Sequence, residues 1–113
     1  MKARIKKQGY YAVDLDGTLA KYSGWKSPTE IGKPVPKMID RVKKWLREGQ
    51  RVKIFTARAN EKETIPVIKK WLVKYGLPAL PVTNIKSHDM IEFWDDRAKQ
   101  VVPNTGKLVG GKE

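Results

Sequence analysis

The apolar positions of the chain alternate between short continuous runs and helical stripes. Tyr10-Tyr11-Ala12-Val13 is an apolar run that stops at Asp14-Leu15-Asp16-Gly17-Thr18, the pattern of a buried strand ending in polar residues. Val35, Met38, Ile39, Val42, Trp45 and Leu46 recur at helical spacing with Lys and Arg between them, and Gly49 stands where that helix would stop. A second strand is expected at 51–55, again followed by polar residues, Thr56-Ala57-Arg58. Ile65, Ile68, Trp71, Leu72 and Tyr75 mark a second helix closed by Gly76. Asn60 and Glu63 resemble a capping pair ahead of it, and Pro66 is tolerated because it falls in the first turns. Further strands are expected at 81–84 and at 90–94, the latter ending in Asp95-Asp96-Arg97, with a last short one at 107–109. Residues 19–36, rich in Gly, Pro, Ser and Lys without a sustained period, read as a loop or small flap with Trp25 as its candidate anchor.

Strands alternating with helices predict an α/β fold: a Rossmann-like three-layer sandwich around a short, mostly parallel sheet. In such sheets the carboxyl ends of the strands share one edge, and ligands bind there. Asp14, Asp16, Thr56, Asp95 and Asp96 are therefore expected to converge although they lie far apart in sequence, and Lys86, after the third strand, can join them. Trp45, Trp71 and Trp94 read as core residues. Trp25, in the flap, is a candidate for touching a substrate as well as for anchoring the loop.

Composition narrows the class. With 113 residues, 40% of them hydrophobic and 32% charged, the chain is expected to form one domain over 1–113 with a modest core. It has no cysteine, which excludes disulfides, cysteine-based zinc sites and thiol nucleophiles. The apolar runs are far shorter than a membrane span, and residues 1–10 lack the apolar segment of a secretory signal, so a cytoplasmic protein is expected. Twenty-four Lys and Arg against twelve Asp and Glu give a formal charge of +12, a bias toward anionic partners, nucleic acid among them. The excess sits on a basic arm at 1–9 and on the two helices, where solvated helix faces explain it equally well, and the end at 110–113 is expected to fray.

Four carboxylates gathered at one edge repel one another unless a cation neutralises them, and hard oxygen ligands of this kind suit Mg²⁺. Beside such a cation, Asp14 could attack a phosphorus atom and form an aspartyl phosphate. Asp16 could protonate the leaving oxygen and then activate water. Thr56 and the N–H groups after it could bind phosphoryl oxygens, while Lys86 neutralises their charge. Arg58 and Arg97 read equally as substrate ligands or as partners of neighbouring carboxylates, and His88 reads as a surface residue.

These residues resemble a known family. VDLDGTLA looks like the first motif of the haloacid dehalogenase-like (HAD) hydrolases, IFTAR like the second, and FWDDRA like the DD form of the fourth, with Lys86 where a third-motif lysine could sit. The resemblance spans 10–101 and implies a phosphatase-type member, with Asp14 as nucleophile and metal ligand and Asp16 as acid/base that lends its main-chain carbonyl to the metal. Asp95 and Asp96 would complete the Mg²⁺ site. TAR and DDR are further similar to the phosphatase module of polynucleotide kinase-phosphatases, which implies that Ala57 and Arg58 bind the substrate phosphate and that a polynucleotide end is one candidate substrate. Lys86 stands close to Asp95 for this family, so Lys69, Lys70 and Lys74 remain substitutes. The loop at 19–36 is too short for a cap domain, which implies an open site or one covered by a second subunit. A non-catalytic phosphate- or nucleic-acid-binding module of the same fold is the alternative. A receiver-like domain fits less well, because it carries its phosphoacceptor after a middle strand.

Overall fold

A computed structural model describes residues 9–111; the expected basic arm lies outside them except for Gly9, as do Lys112 and Glu113. Along the chain run β1 (Tyr10–Asp14), α1 (Pro36–Arg47), β2 (Arg51–Phe55), α2 (Thr64–Lys74), β3 (Val82–Thr83) and β4 (Met90–Trp94). The strands form one sheet in the order β3-β2-β1-β4, and every pairing in it is parallel.

Register decides which side chains meet. Tyr11 and Val13 stand beside Val52 and Ile54, so these four share one face of the sheet. Val13, Val52 and Ile54 of that face join Met38, Ile39 and Val42 of α1 and Ile68, Trp71 and Leu72 of α2 in a single buried cluster. Both helices therefore lie on the same side. Trp45 and Trp94 pack at the margin of this cluster with ring centroids 5.0 Å apart, and Trp71 is buried within it.

The two helices end in the same device. Gly49, at φ 85°, and Gly76, at φ 90°, follow the last helical residues. Gln50 N–H reaches back to Trp45 O and Leu77 N–H to Leu72 O, each beside a glycine N–H bond of 3.1 Å to Leu46 O or Val73 O. This closes the last carbonyls of both helices with the left-handed residue that glycine accommodates without steric cost. The expected cap of α2 differs: Glu63 makes no side-chain capping bond, and Asn60 Oδ1 instead accepts from Asn84 Nδ2 at 2.8 Å. A 3-10 turn (Ala57–Asn60) intervenes, and its cap is Thr56, whose Oγ1 accepts from Arg58 N–H at 3.1 Å.

The expected three layers reduce to two among the described residues. The link from β3 to β4 spans only 84–89, too few residues for a helix that crosses the sheet. It runs instead over the face opposite the helices, where Ser87 Oγ lies 2.8 Å from Tyr10 Oη and Tyr10 N–H donates to Asp89 O. After β4 the chain pairs Val101 with Leu108 in a single antiparallel bridge around a turn containing Asn104 and Gly106, both at positive φ. No strand forms at 107–109. No helix among the described residues is long and apolar enough to cross a membrane.

Candidate active site

The sheet order places β1 at the point where the chain reverses direction, with β2 and β3 to one side and β4 to the other. Crevices at such switch points, at the carboxyl ends of the strands, are where open α/β sheets bind ligands. The parallel register sets Val13 beside Trp94, so the next residues, Asp14 and Asp95, emerge side by side. One oxygen from each of Asp14, Asp95 and Asp96 lies within 4.8 Å of the others.

The loop after β1 holds this cluster together. Thr18 Oγ1 accepts from Asp96 N–H at 3.0 Å and lies 3.4 Å from an oxygen of both Asp14 and Asp96. Gly17 has φ 93°, and a Cβ placed there would sit 2.5 Å from Asp96 Oδ2. Only glycine both adopts the turn and leaves room for the carboxylate. Arg97 N–H donates to Asp95 Oδ1 at 2.6 Å, which fixes the other member of the pair. The Asp14 carboxyl is pushed up to about 7, first by partial burial and then by the charges of Asp95 and Asp96. The three oxygens are hard donors already near the spacing of ligands around one small divalent ion, about 4 Å or less across its coordination sphere. The donor set fits such an ion.

Asp16 is placed differently. Both of its oxygens accept from Arg58, Oδ2 from Nε at 2.8 Å and Oδ1 from Nη2 at 3.1 Å, and it is not part of the three-carboxylate cluster. Arg58 is 5% exposed, and its other N–H groups go to the carbonyls of Ser27, Pro28 and Glu30 in the flap. A guanidinium carries five N–H donors, and all five are thus satisfied within the protein. In this state Arg58 has none left for a substrate phosphate; it fastens the flap to the loop after β1. Trp71 Nε1 adds a bond of 2.9 Å to Gly32 O. The flap is therefore anchored by Arg58 and Trp71. Trp25, the expected anchor, is 59% exposed with the Arg58 guanidinium 4.8 Å from its ring centroid.

Asp14, Asp16, Thr56, Ala57, Arg58, Asp95 and Asp96 line one cavity of about 580 Å³, a usual size for a small-molecule site. Lys86 does not line it and is exposed. The next residue, Ser87, touches Tyr10 at the start of β1, four residues from Asp14 and so about 13 Å away along the strand. Lys69, Lys70 and Lys74 line a separate hollow on α2. For Arg97 the sequence admits both substrate binding and pairing with a neighbouring carboxylate. Arg97 lines the cavity, and its side chain has no hydrogen bond or ion pair among the described residues.

Fold and site together define a small α/β domain with a carboxylate-lined cleft at its switch point. Comparison with protein-family models, curated proteins and solved structures returned no match.

Proposed function

We propose that the protein is a Mg²⁺-dependent phosphohydrolase acting on a phosphomonoester through an aspartyl phosphate, as its resemblance to phosphatase-type HAD hydrolases implies. One observation carries this reading: Asp14, Asp95 and Asp96 meet at the switch point of the sheet, in the cavity that also holds Asp16 and Thr56. Mg²⁺ held by Asp14, Asp95 and Asp96 would offset their repulsion and neutralise charge on the phosphoryl oxygens.

The free oxygen of Asp14 attacks phosphorus; the Asp14–O–P bond forms as the bond to the leaving oxygen breaks. Asp16, once protonated from solvent at an oxygen lone pair that Arg58 leaves free, gives that proton to the leaving oxygen. A carboxylate has about four lone-pair sites, so the two bonds from Arg58 orient Asp16 and still leave a site facing the cavity, where its side chain is 20% exposed. In the second step water loses a proton to Asp16 and attacks phosphorus, which releases inorganic phosphate and restores Asp14. The Thr56 hydroxyl and the N–H of Ala57 orient the phosphoryl oxygens, and Arg97, which lines the cavity with unused donors among the described residues, binds their charge.

Release of phosphate from p-nitrophenyl phosphate with Mg²⁺ tests this reading, and an Asp14→Asn protein as active as the wild type would end it. The second reading, a phosphate-binding module without turnover, is favoured by the pairing of both Asp16 oxygens with Arg58 and by the position of Lys86 outside the cavity. Binding of phosphorylated ligands that survives Asp14→Asn, with no hydrolysis of any phosphoester by the wild type, selects it.

A further inference from the structure

The flap contributes two side chains that the core does not use. Tyr22 is 49% exposed and Trp25 59% exposed; with Phe93 they are the large exposed aromatics among the described residues. Both line the cavity that holds Asp14 and Asp95, and Phe55 adds an apolar wall to it. Neither belongs to the buried cluster. The flap is fastened by main-chain carbonyls instead, three to Arg58 and that of Gly32 to Trp71. Exposed aromatic surface is in unfavourable contact with water, so its concentration beside a polar site points to a ligand.

The ring of Trp25 is also held in place. The Arg58 guanidinium lies 4.8 Å from its centroid, and that guanidinium is itself fixed by five hydrogen bonds. A flat ring backed by a rigid cation and open to the cavity is a preorganised stacking surface. A nucleobase presents a flat π-face to such a surface, and base–aromatic stacking favours its binding there.

We propose that Trp25 and Tyr22 form a stacking platform for a nucleobase, so that the phosphomonoester taken by the site is borne by a nucleotide, free or at the end of a chain. This rests on the phosphohydrolase reading for the turnover of the phosphate, but not for the binding of the base. The formal charge of +12 favours nucleotides over phosphotyrosine peptides, whose ring would also stack, because polynucleotides carry a phosphate at every residue.

Two measurements separate the platform from the hydrolase. In the first, adenosine 5′-monophosphate is titrated into the full chain and tryptophan emission is followed, with ribose 5-phosphate as the control lacking a base. The expected result is a saturable quench by the nucleotide alone, together with a calorimetric affinity for the nucleotide that falls about tenfold in Trp25→Leu and recovers in Trp25→Tyr; an unchanged affinity in Trp25→Leu, or an equal quench by ribose 5-phosphate, overturns the proposal. In the second, kcat/KM is measured with Mg²⁺ for adenosine 5′-monophosphate, 3′- and 5′-phosphorylated oligonucleotides, ribose 5-phosphate and a phosphotyrosine peptide. The ratio of nucleotide to ribose 5-phosphate is expected to fall about tenfold in Trp25→Leu, mainly through KM, and to recover in Trp25→Tyr. A preference for the peptide or an unchanged ratio overturns the platform, while the favoured nucleotide arm identifies its source. Hydrolysis of none of these substrates, with the nucleotide quench intact, rejects the hydrolase and supports the platform. Because Trp25 lies outside the buried cluster, Trp25→Leu is expected to keep the wild-type unfolding midpoint.

Discussion

Arg58 grips both carboxylate oxygens of Asp16, 42 residues earlier in the chain, through bonds of 2.8 and 3.1 Å. The same side chain gathers the carbonyls of Ser27, Pro28 and Glu30, so one residue sets the position of the flap and the orientation of Asp16 together. Any movement of the flap that releases these carbonyls also loosens Asp16. The DxD loop and the flap are in this sense one mechanical unit.

Arg58→Lys keeps the charge but loses the planar fork, and the flap carbonyls lose their shared donor. Removing one partner of a buried ion pair altogether costs about 3–5 kcal/mol; because Lys retains the charge and Asp16 is partly exposed, the expected loss is smaller, ~2–3 kcal/mol. Urea unfolding should show a lower midpoint with little change in slope, and amide exchange should accelerate at 22–31. A midpoint equal to that of the wild type would show that the flap is held by other contacts.

Gly17 faces Asp96 so closely that the two cannot both stay in place once a Cβ is added. The group in the way is the end of a side chain, so the carboxylate, and not the backbone, is what moves. Gly17→Ala should therefore destabilise the fold modestly, by ~1–2 kcal/mol for the positive φ, while lowering Mg²⁺ affinity at least tenfold, the scale of losses from misplacing the surroundings of a metal site. Calorimetric titration with Mg²⁺ and thermal melts on the same samples separate the two effects. Unchanged affinity would remove Asp96 from the cation site.

The acid edge should also set how stability depends on pH. Asp14 has its folded-state value near 7, above its ordinary value of 3.8, because burial and the neighbouring carboxylates disfavour its charge. The folded protein thus binds this proton more tightly than the unfolded chain, so the contribution is complete below about pH 4 and is lost as pH rises through 7. Asp14→Asn removes the loss. The melting temperature of the variant minus that of the wild type, both without divalent cations, should grow between pH 4 and 7 and level off above it. Mg²⁺ at pH 8 should raise the wild type and leave the variant unmoved, since only the wild type gains a bound ligand. A temperature difference that shrinks with pH would contradict the assigned sign.

Much of this arrangement was legible in the residue pattern. Period and punctuation located β1, β2, β4 and both helices, and the glycine stops at 49 and 76 function as their positions suggest. The parallel-sheet rule brought Asp14 to Asp95 because register is a property of strands, which the apolar runs reveal. Pairing of Arg58 with a carboxylate was legible as one of its two readings, whereas its bonds to the flap were not, because main-chain carbonyls of a loop have no residue-type signature. Asn60 does not cap α2 because it ends a 3-10 turn with Thr56 as its cap, and that turn is too short to show a period. The two-layer build did have a signal, the six residues between β3 and β4, which leave no length for a third-layer helix.

That same short link bears on the last question, which cation meets the substrate phosphate. It leads the chain away from the carboxyl edge directly after β3, so Lys86 is exposed and outside the cavity, whereas Arg97 follows Asp96 and lines it with its guanidinium unpaired among the described residues. Losing a donor that stabilises transition-state charge costs about 10²–10³ in kcat. Arg97→Gln is therefore expected to lower kcat/KM on p-nitrophenyl phosphate by about that factor, and to weaken inhibition by inorganic phosphate in parallel. Lys86→Gln should change either quantity by less than about threefold, as for an exposed charge screened by solvent. Unfolding midpoints close to the wild type in both proteins would tie the difference to the site. The opposite ranking, with Lys86 the costly loss, would mean that the 84–89 link rearranges to reach the phosphate when substrate binds.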